Sequence, residues 1–252
     1  MAGATPDSLL AFHDAGYREM AGRIGSGIVL DVGCGVGDQT ARLAGIGRLV
    51  IGVDYDPQTA IDAAHEWEPR GLRFAAMDGG RIGARSGSID WVCSSHIIEH
   101  FRAPEQHVAE VARVAASNGT ALIITPNGTA DFENPFHVSL FEADELESLL
   151  ALFFDDVVVL GLEGSAELHA DFAQRRASGE RLLRLDPFEL RHKIPYRWYV
   201  WGYERVLPVV YKALGSARTG IGSGIDESQF FLTDQIAPLT PGLFAVARNP
   251  RR

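Results

Sequence analysis

Between residues 27 and 162 the chain alternates two kinds of pattern. Short, continuous apolar runs fall at Ile28–Val32, Leu49–Val53, Leu72–Met77, Ile89–Ser94, Thr120–Thr125 and Asp156–Leu160. Runs apolar at successive rather than alternate positions predict parallel strands covered on both faces. Between them, apolar residues recur at helical spacing near Thr40–Leu43, Pro57–Glu66, Pro104–Ala115 and Glu142–Leu152. An amphipathic helix over about Asp7–Arg23 leads in, and a final strand is expected at Leu243–Arg248. This alternation predicts an α/β fold, a Rossmann-like doubly wound sheet.

The pattern changes after residue 162. A charged helical stretch, Glu167–Leu185, precedes an aromatic one, Ile194–Tyr203, then Val206–Leu214 and the glycine-rich Gly215–Gly224. Ordinary connections are far shorter than this. The expected organisation is a core over 1–162, a helical insertion over 163–228 and a return to the core over 229–252. The insertion is expected to be a lid or acceptor platform over the carboxyl edge of the sheet, or the interface of a homodimer, since Trp and Tyr are enriched in interfaces.

Composition narrows the partners. With 252 residues, 46% of them hydrophobic, the chain is long and apolar enough for one large α/β domain with an elaboration. A net charge of −10 argues against nucleic acid, whose phosphates need a basic surface. The two cysteines, Cys34 and Cys93, fall at predicted strand ends and are expected to be reduced. No run reaches the length of a membrane span, and the first residues lack the basic and apolar regions of an export signal, so a cytoplasmic protein is expected.

Candidate chemistry begins where the first strand breaks into glycines, in Val29-Leu30-Asp31-Val32-Gly33-Cys34-Gly35-Val36-Gly37-Asp38. The second strand also ends in an acid, Asp54. A strand, a glycine turn, a helix and a strand ending in an acid open a nucleotide-type site. The third glycine comes one residue too early for the dinucleotide fingerprint, and Gln39-Thr40 replaces the Lys-Ser/Thr pair of a P-loop. Asp38 at the helix start would repel a pyrophosphate. A ligand with ribose and adenine but no phosphate fits better.

The acid followed by Gly-x-Gly-x-Gly resembles motif I of the class I S-adenosylmethionine-dependent methyltransferases. The resemblance runs from about Ser26 to Gly161 and takes in the final strand. It implies a seven-stranded sheet whose last strand enters antiparallel beside the sixth. It further implies that Asp31 faces the methionine ammonium of S-adenosyl-L-methionine and that Gly33, Cys34, Gly35 and Gly37 let the backbone pass close. Asp54 would take the ribose hydroxyls, Asp78 the adenine amino group, and Gly79 would offer its N–H to the ring. Tyr55 and Ser95, at the ends of the second and fourth strands, complete the implied cofactor set.

Two clusters open onto the same cleft. Ser95-His96-Ile97-Ile98-Glu99-His100 formally matches a zinc-protease pattern, but that motif needs a long helix and this stretch follows a strand. Glu99-His100-Phe101 resembles a sequence common at this point in methyltransferases of the class. His96 or His100 is a candidate general base. Alternatively, Glu99 and His100, with His96, hold a divalent cation, since spacing i, i+3, i+4 on one helical turn would bring the three side chains to one face. Some quinone-precursor O-methyltransferases have an acid before Glu-His at matching positions and use Mg2+, whereas His96 stands in the acid's place here. The second cluster is Thr125-Pro126-Asn127 with Glu133-Asn134-Pro135-Phe136-His137. It resembles a subset of the class that methylates sugar hydroxyls in polysaccharide biosynthesis, and His137 is the leading candidate base, with Asp131 and Glu133 as supporting acids.

The expected function is therefore O-methyl transfer to a sugar or oligosaccharide hydroxyl. The alternatives are a phenolic or quinone-precursor acceptor, or a non-catalytic partner subunit that only binds S-adenosylmethionine.

Overall fold

The computed structural model describes residues 6–130, 137–183 and 223–251. Asp131, Glu133, Asn134–Phe136, Ile194–Tyr203 and Val206–Leu214 lie outside the described residues, as does most of the glycine-rich stretch. The chain divides into two units, one of Phe12–Glu163 with Phe230–Arg252, the other of Met1–Ala11 with Gly164–Gln229.

The helices are α1 (Asp7–Ala21), α2 (Pro57–Trp67), α3 (Pro104–Val114), α4 (Ala143–Ala151) and α5 (Ala166–Leu183). The strands are β1 (Ile28–Val32), β2 (Leu49–Asp54), β3 (Arg73–Ala76), β4 (Ile89–Ser95), β5 (Ala115–Pro126), β6 (Phe154–Gly164), β7 (Phe230–Thr233) and β8 (Gly242–Pro250). They form one sheet in the order β3-β2-β1-β4-β5-β8-β6-β7. The first five run parallel, and β8 enters antiparallel between β5 and β6.

The doubly wound architecture with its inverted last strand is therefore as expected, with one correction. Among the described residues the sheet has eight strands rather than seven, because Phe230-Phe231-Leu232-Thr233 adds an edge strand beyond β6. Four residues are too few for a periodic signal. A second difference is that Thr40–Leu43 is a 3-10 turn rather than an α-helix.

Alternation along the strands sends side chains to two apolar layers. Leu30 and Val32 of β1 join Val92, Ile123, Val108 of α3 and Leu146 of α4 on one face. Val29 joins Cys93, Leu122, Ile124, and Tyr17 and Met20 of α1 on the other. Asp31 shares the parity of Val29, so its carboxylate is directed to the α1 side. Both cysteines are buried and free.

Two caps fix where helices begin. Asp56 accepts from the Thr59 N–H at 2.8 Å and Pro57 follows it, so α2 starts there and Asp54 is released from capping. Glu142 and Glu145 form a reciprocal capping box on α4. The register aligns the carboxyl ends of β1, β2 and β4, with Asp31 opposite Cys93 and Asp54 opposite Ala76. The strand order reverses between β1 and β4, the place where open α/β sheets leave a crevice.

Leu122 lies fully buried on a central strand. Leu122→Ala is expected to cost about 3 kcal/mol of stability, read as a lower urea midpoint at unchanged slope. A change below about 1 kcal/mol would contradict this core assignment.

Candidate functional site

The crevice is built from strand ends. Asp31 is fully buried at the end of β1. Tyr17 Oη donates to its carboxylate, 3.0 and 3.1 Å from the two oxygens, and Thr40 Oγ1 donates at 2.6 Å. Both partners are neutral hydroxyls. Burial pushes the Asp31 pKa up from 3.8 to about 6, with the Thr40 and Tyr17 bonds opposing the shift. A buried carboxylate bonded only to hydroxyls suits a cationic ligand, and an ammonium is such a group.

The glycines after Asp31 have different duties. At Gly33 the backbone is left-handed (φ 78°), and an added Cβ would lie 1.8 Å from Ile97 Cδ1. Its N–H and that of Cys34 both donate to the Val53 carbonyl, tying the loop to β2. A Cβ at Gly37 would strike Trp67 and Phe74, so this position serves packing. Gly35 differs, because it too is left-handed (φ 53°) but no atom lies within 4 Å of where its Cβ would be. It is the open wall of the loop, where a ligand can lie against bare backbone. Cys34 is buried behind it, its thiol pushed well up by burial and the nearby Asp31 and Asp54.

Asp54 Oδ2 accepts from the Gly35 N–H at 3.0 Å and Oδ1 from the Asp56 N–H at 3.0 Å. These bonds fix the carboxylate at the rim and leave each oxygen a lone pair for a diol. Tyr55 beside it is 78% exposed. Asp78 is exposed, with Oδ1 accepting from the Gly80 N–H at 2.8 Å. Gly79 packs tightly, an added Cβ meeting Phe101 and Val32 at 3.2 Å. Ser95 is buried at the end of β4, and its Oγ makes no hydrogen bond among the described residues.

The second half of the site centres on Glu99, whose side chain is fully buried. Its Oε2 accepts from Thr125 Oγ1 of β5 at 3.1 Å. Oε1 lies 3.4 Å from His96 Nδ1 and 3.9 Å from His137 Nε2. The Glu99 carbonyl accepts from the Val138 and Ser139 N–H groups at 2.8 and 3.0 Å, which holds His137 against β4. His100 packs edge-on against His137, ring centroids 5.0 Å apart. Burial raises the Glu99 pKa, with His137 the largest influence pulling it back.

His96, Glu99 and His100 were expected to share one helical turn. They do not, since only Ile98–His100 is helical and His96 has a left-handed backbone (φ 55°). A non-glycine residue there is held against its preference. The set whose ligand atoms lie within 4.8 Å of one another is instead Glu99, His100 and His137.

Sequence reasoning missed the contribution of α1. His13 packs on His96 with ring centroids 4.2 Å apart, and Tyr17, one turn later, holds Asp31. Burial and the neighbouring His96 lower the His13 pKa to about 3, so this ring is neutral. The signal was present as two polar-tipped rings four residues apart on a helix face otherwise apolar. Thr40, which helps hold Asp31, gave no such signal, and Thr125, which bonds Glu99, was named only as part of the Thr125-Pro126-Asn127 cluster.

Asp31 binds its proton more tightly folded than unfolded. Its contribution to stability is full below about pH 4 and is lost as pH rises through about 6. Asp31→Asn removes this dependence. In urea titrations of the ligand-free protein, the stability of the variant relative to wild type is expected to rise by roughly 3 kcal/mol between pH 4 and pH 8. Parallel pH profiles would refute the assignment.

Comparisons with known proteins agree with this geometry. The profile of a methyltransferase domain family matches residues 30–123. A Mycobacterium tuberculosis protein named a probable S-adenosylmethionine-dependent methyltransferase is 34% identical over 157 residues, 60% of this chain and 57% of that protein. The chain thus spans little more than half the length of that relative. Among solved structures, an S-adenosylmethionine-dependent methyltransferase of Thermotoga maritima, titled a possible histamine N-methyltransferase, aligns with TM-score 0.61 at 12% identity, over 96% of this chain and 91% of that one. The 4+2 cyclase SpnF aligns with TM-score 0.57 at 17% identity, over 96% of this chain and 81% of that one. At such identities the structures establish the fold alone. Over residues 30–123 the chain is thus similar to a methyltransferase domain, and the relative that it matches over 157 residues is named S-adenosylmethionine-dependent.

Proposed function

We propose that this chain transfers a methyl group from S-adenosylmethionine to a hydroxyl oxygen, and that the acceptor is a sugar or oligosaccharide. The observation that carries the reading is the histidine cluster around buried Glu99, at the strand ends beside the cofactor loop. A hydroxyl is a poor nucleophile and gains from losing its proton as the methyl moves. An amine free base has no such need. The sugar class rests on the resemblance of Thr125–Asn127 and Asn134–His137 to enzymes that methylate sugars.

S-adenosylmethionine supplies an electrophilic methyl on a sulfonium. The residues present fit it. Asp31 offers an uncompensated buried charge for the ammonium, Gly35 an open backbone wall, and Asp54 a fixed carboxylate for the ribose. Asp78 and Gly79 line the position for the adenine.

In this reading His96 is the base that takes the acceptor's proton, and its Nδ1 lies 3.4 Å from Glu99 Oε1. The imidazolium so formed pairs with Glu99, whose burial makes a lone negative charge costly. His137, the leading candidate from sequence, lies 3.9 Å from the same oxygen. Much of the rate comes from holding the two substrates in line.

A labelled-methyl transfer assay against sugars, oligosaccharides and phenols tests the reading. Transfer to a sugar hydroxyl is expected. His96→Ala should lower kcat by about 100-fold or more with calorimetric affinity for S-adenosylhomocysteine unchanged. Failure of wild type to methylate any hydroxyl, or unchanged turnover in the variant, would overturn it.

A second reading is favoured by the convergence of Glu99, His100 and His137. Magnesium does not fit this set, because it prefers oxygen and the set offers two imidazoles with one carboxylate. Two nitrogens and an oxygen suit zinc or a similar ion. Titration calorimetry with Zn2+ and Mg2+ is expected to give binding of the first alone, abolished in Glu99→Gln. Heat from neither ion would dispose of the site.

A further inference from the structure

His107 of α3 is fully buried and has no place in the chemistry above. Its ring bridges two parts of the crevice. Nδ1 lies 2.9 Å from the Gly79 carbonyl oxygen, and Nε2 lies 2.9 Å from Ser94 Oγ, at the end of β4. A carbonyl can only accept, so Nδ1 carries the proton. Burial lowers the ring's pKa and keeps it neutral, so Nε2 accepts from the Ser94 hydroxyl. The two bonds fix one tautomer and one ring orientation.

The ring also stacks on Phe101, with centroids 4.8 Å apart and planes 12° from parallel. Gly79 and Gly80 rest against this pair. An added Cβ would lie 3.2 Å from Phe101 and 3.4 Å from His107 Nδ1 at Gly79, and 3.3 Å from Phe101 at Gly80. The loop after β3 is thus cushioned from below by the stack, and its carbonyl at Gly79 is held by the single Nδ1–H. The peptide N–H of Gly79 and the carboxylate of Asp78 sit on the same short loop, whose turn is closed by Arg81 N–H to the Asp78 carbonyl at 2.9 Å.

We infer that His107 is a positioning residue for base recognition: by fixing the Gly79 peptide against β4, it aims the Asp78–Gly79 edge so that the site selects adenine over other purines. The inference rests on the cofactor reading above and adds the source of its base selectivity. His107 touches no substrate. Its role is to remove the freedom of a two-glycine loop that would otherwise present its donors and acceptors in several directions. Adenine offers an amino donor and a ring-nitrogen acceptor, whereas hypoxanthine offers a carbonyl and a ring N–H, so a rigid edge discriminates and a loose one adapts.

The test measures, by titration calorimetry, the affinity of wild type and variants for S-adenosylhomocysteine and S-inosylhomocysteine. His107→Phe keeps the volume and the stack but removes both hydrogen bonds. It is expected to weaken adenosyl binding about tenfold and to lower the adenosyl-to-inosyl preference by a similar factor, with kcat at saturating cofactor unchanged. His107→Asn can return an N–H toward Gly79 and should recover part of the preference. Ser94→Ala, which unlocks the tautomer but leaves the Gly79 bond, should give an intermediate loss and serves where His107→Phe does not fold. Wild-type preference in a folded His107→Phe or in Ser94→Ala overturns the inference. Absence of adenosyl binding by wild type instead overturns the cofactor reading beneath it.

Discussion

A buried negative charge that no cationic side chain among the described residues bonds organises this site. Asp31 ends β1 inside the sheet, on the face covered by α1, where its charge costs free energy. Tyr17 and Thr40 lower that cost but do not cancel it, since a hydroxyl dipole is not a counter-charge. The consequence reaches outward. Tyr17 must come from α1, so the leading helix is part of the crevice. Thr40 must come from the turn after the glycines, so that turn closes back on β1. The loop between them is then left to pass over the carboxylate with bare backbone at Gly35. An arrangement that is costly alone and favourable with a cation is what selective binding of an ammonium requires.

The same principle recurs at Glu99, with a different outcome. There the buried carboxyl group is ringed by imidazoles, which exchange charge by taking or releasing a proton. In the function proposed above, Asp31 would hold a fixed positive group, while Glu99 would support a positive charge that comes and goes. The two acids lie at the ends of neighbouring strands, β1 and β4, on either side of the point where the strand order reverses. The proposed function would place a cofactor cation on one side and a proton acceptor on the other, the division of labour a group transfer needs.

How much of this was legible in the sequence follows from which interactions are local. The strands were legible because burial on both faces leaves uninterrupted apolar runs. Asp31 and Asp54 were legible because an acid ending such a run is costly without a purpose. The glycines were legible as a group but not singly. Only the fold separates Gly33 and Gly37, which are small to admit Ile97, Trp67 and Phe74, from Gly35, which is small toward open space. His13 and Tyr17 showed only as two polar-tipped rings on an apolar helix face, and His107 showed no site signal. Each reaches a partner on another element, and a polar ring on an apolar helix face looks the same whether it holds a carboxylate or only a neighbour. The edge strand β7 was missed for want of length. The helical turn expected at His96 failed because the β4–β5 ladder continues to the His96 N–H, bonded to the Ile124 carbonyl, and the chain must then reverse within one residue.

The likeness to a cyclase as well as to methyltransferases shows where the chemistry must be argued. A shared sheet with a shared crevice constrains what can be bound at the β1 and β2 ends, because strand geometry sets those distances. It does not constrain what happens at the ends of β4 and β5, where loops of different length bring in the reacting groups. In this chain those loops deliver imidazoles to one buried carboxyl group, and the left-handed backbone at His96 shows that the delivery is held against local preference. Strain of this kind persists only where surrounding contacts over-determine it. Here they are the strand ladder before His96, the Glu99 carboxyl group beside it, and the rings of Phe12 and His13 packed on its face. Residue types that accept protons, placed against the backbone's own preference beside the proposed cofactor loop, favour an acceptor that must lose a proton.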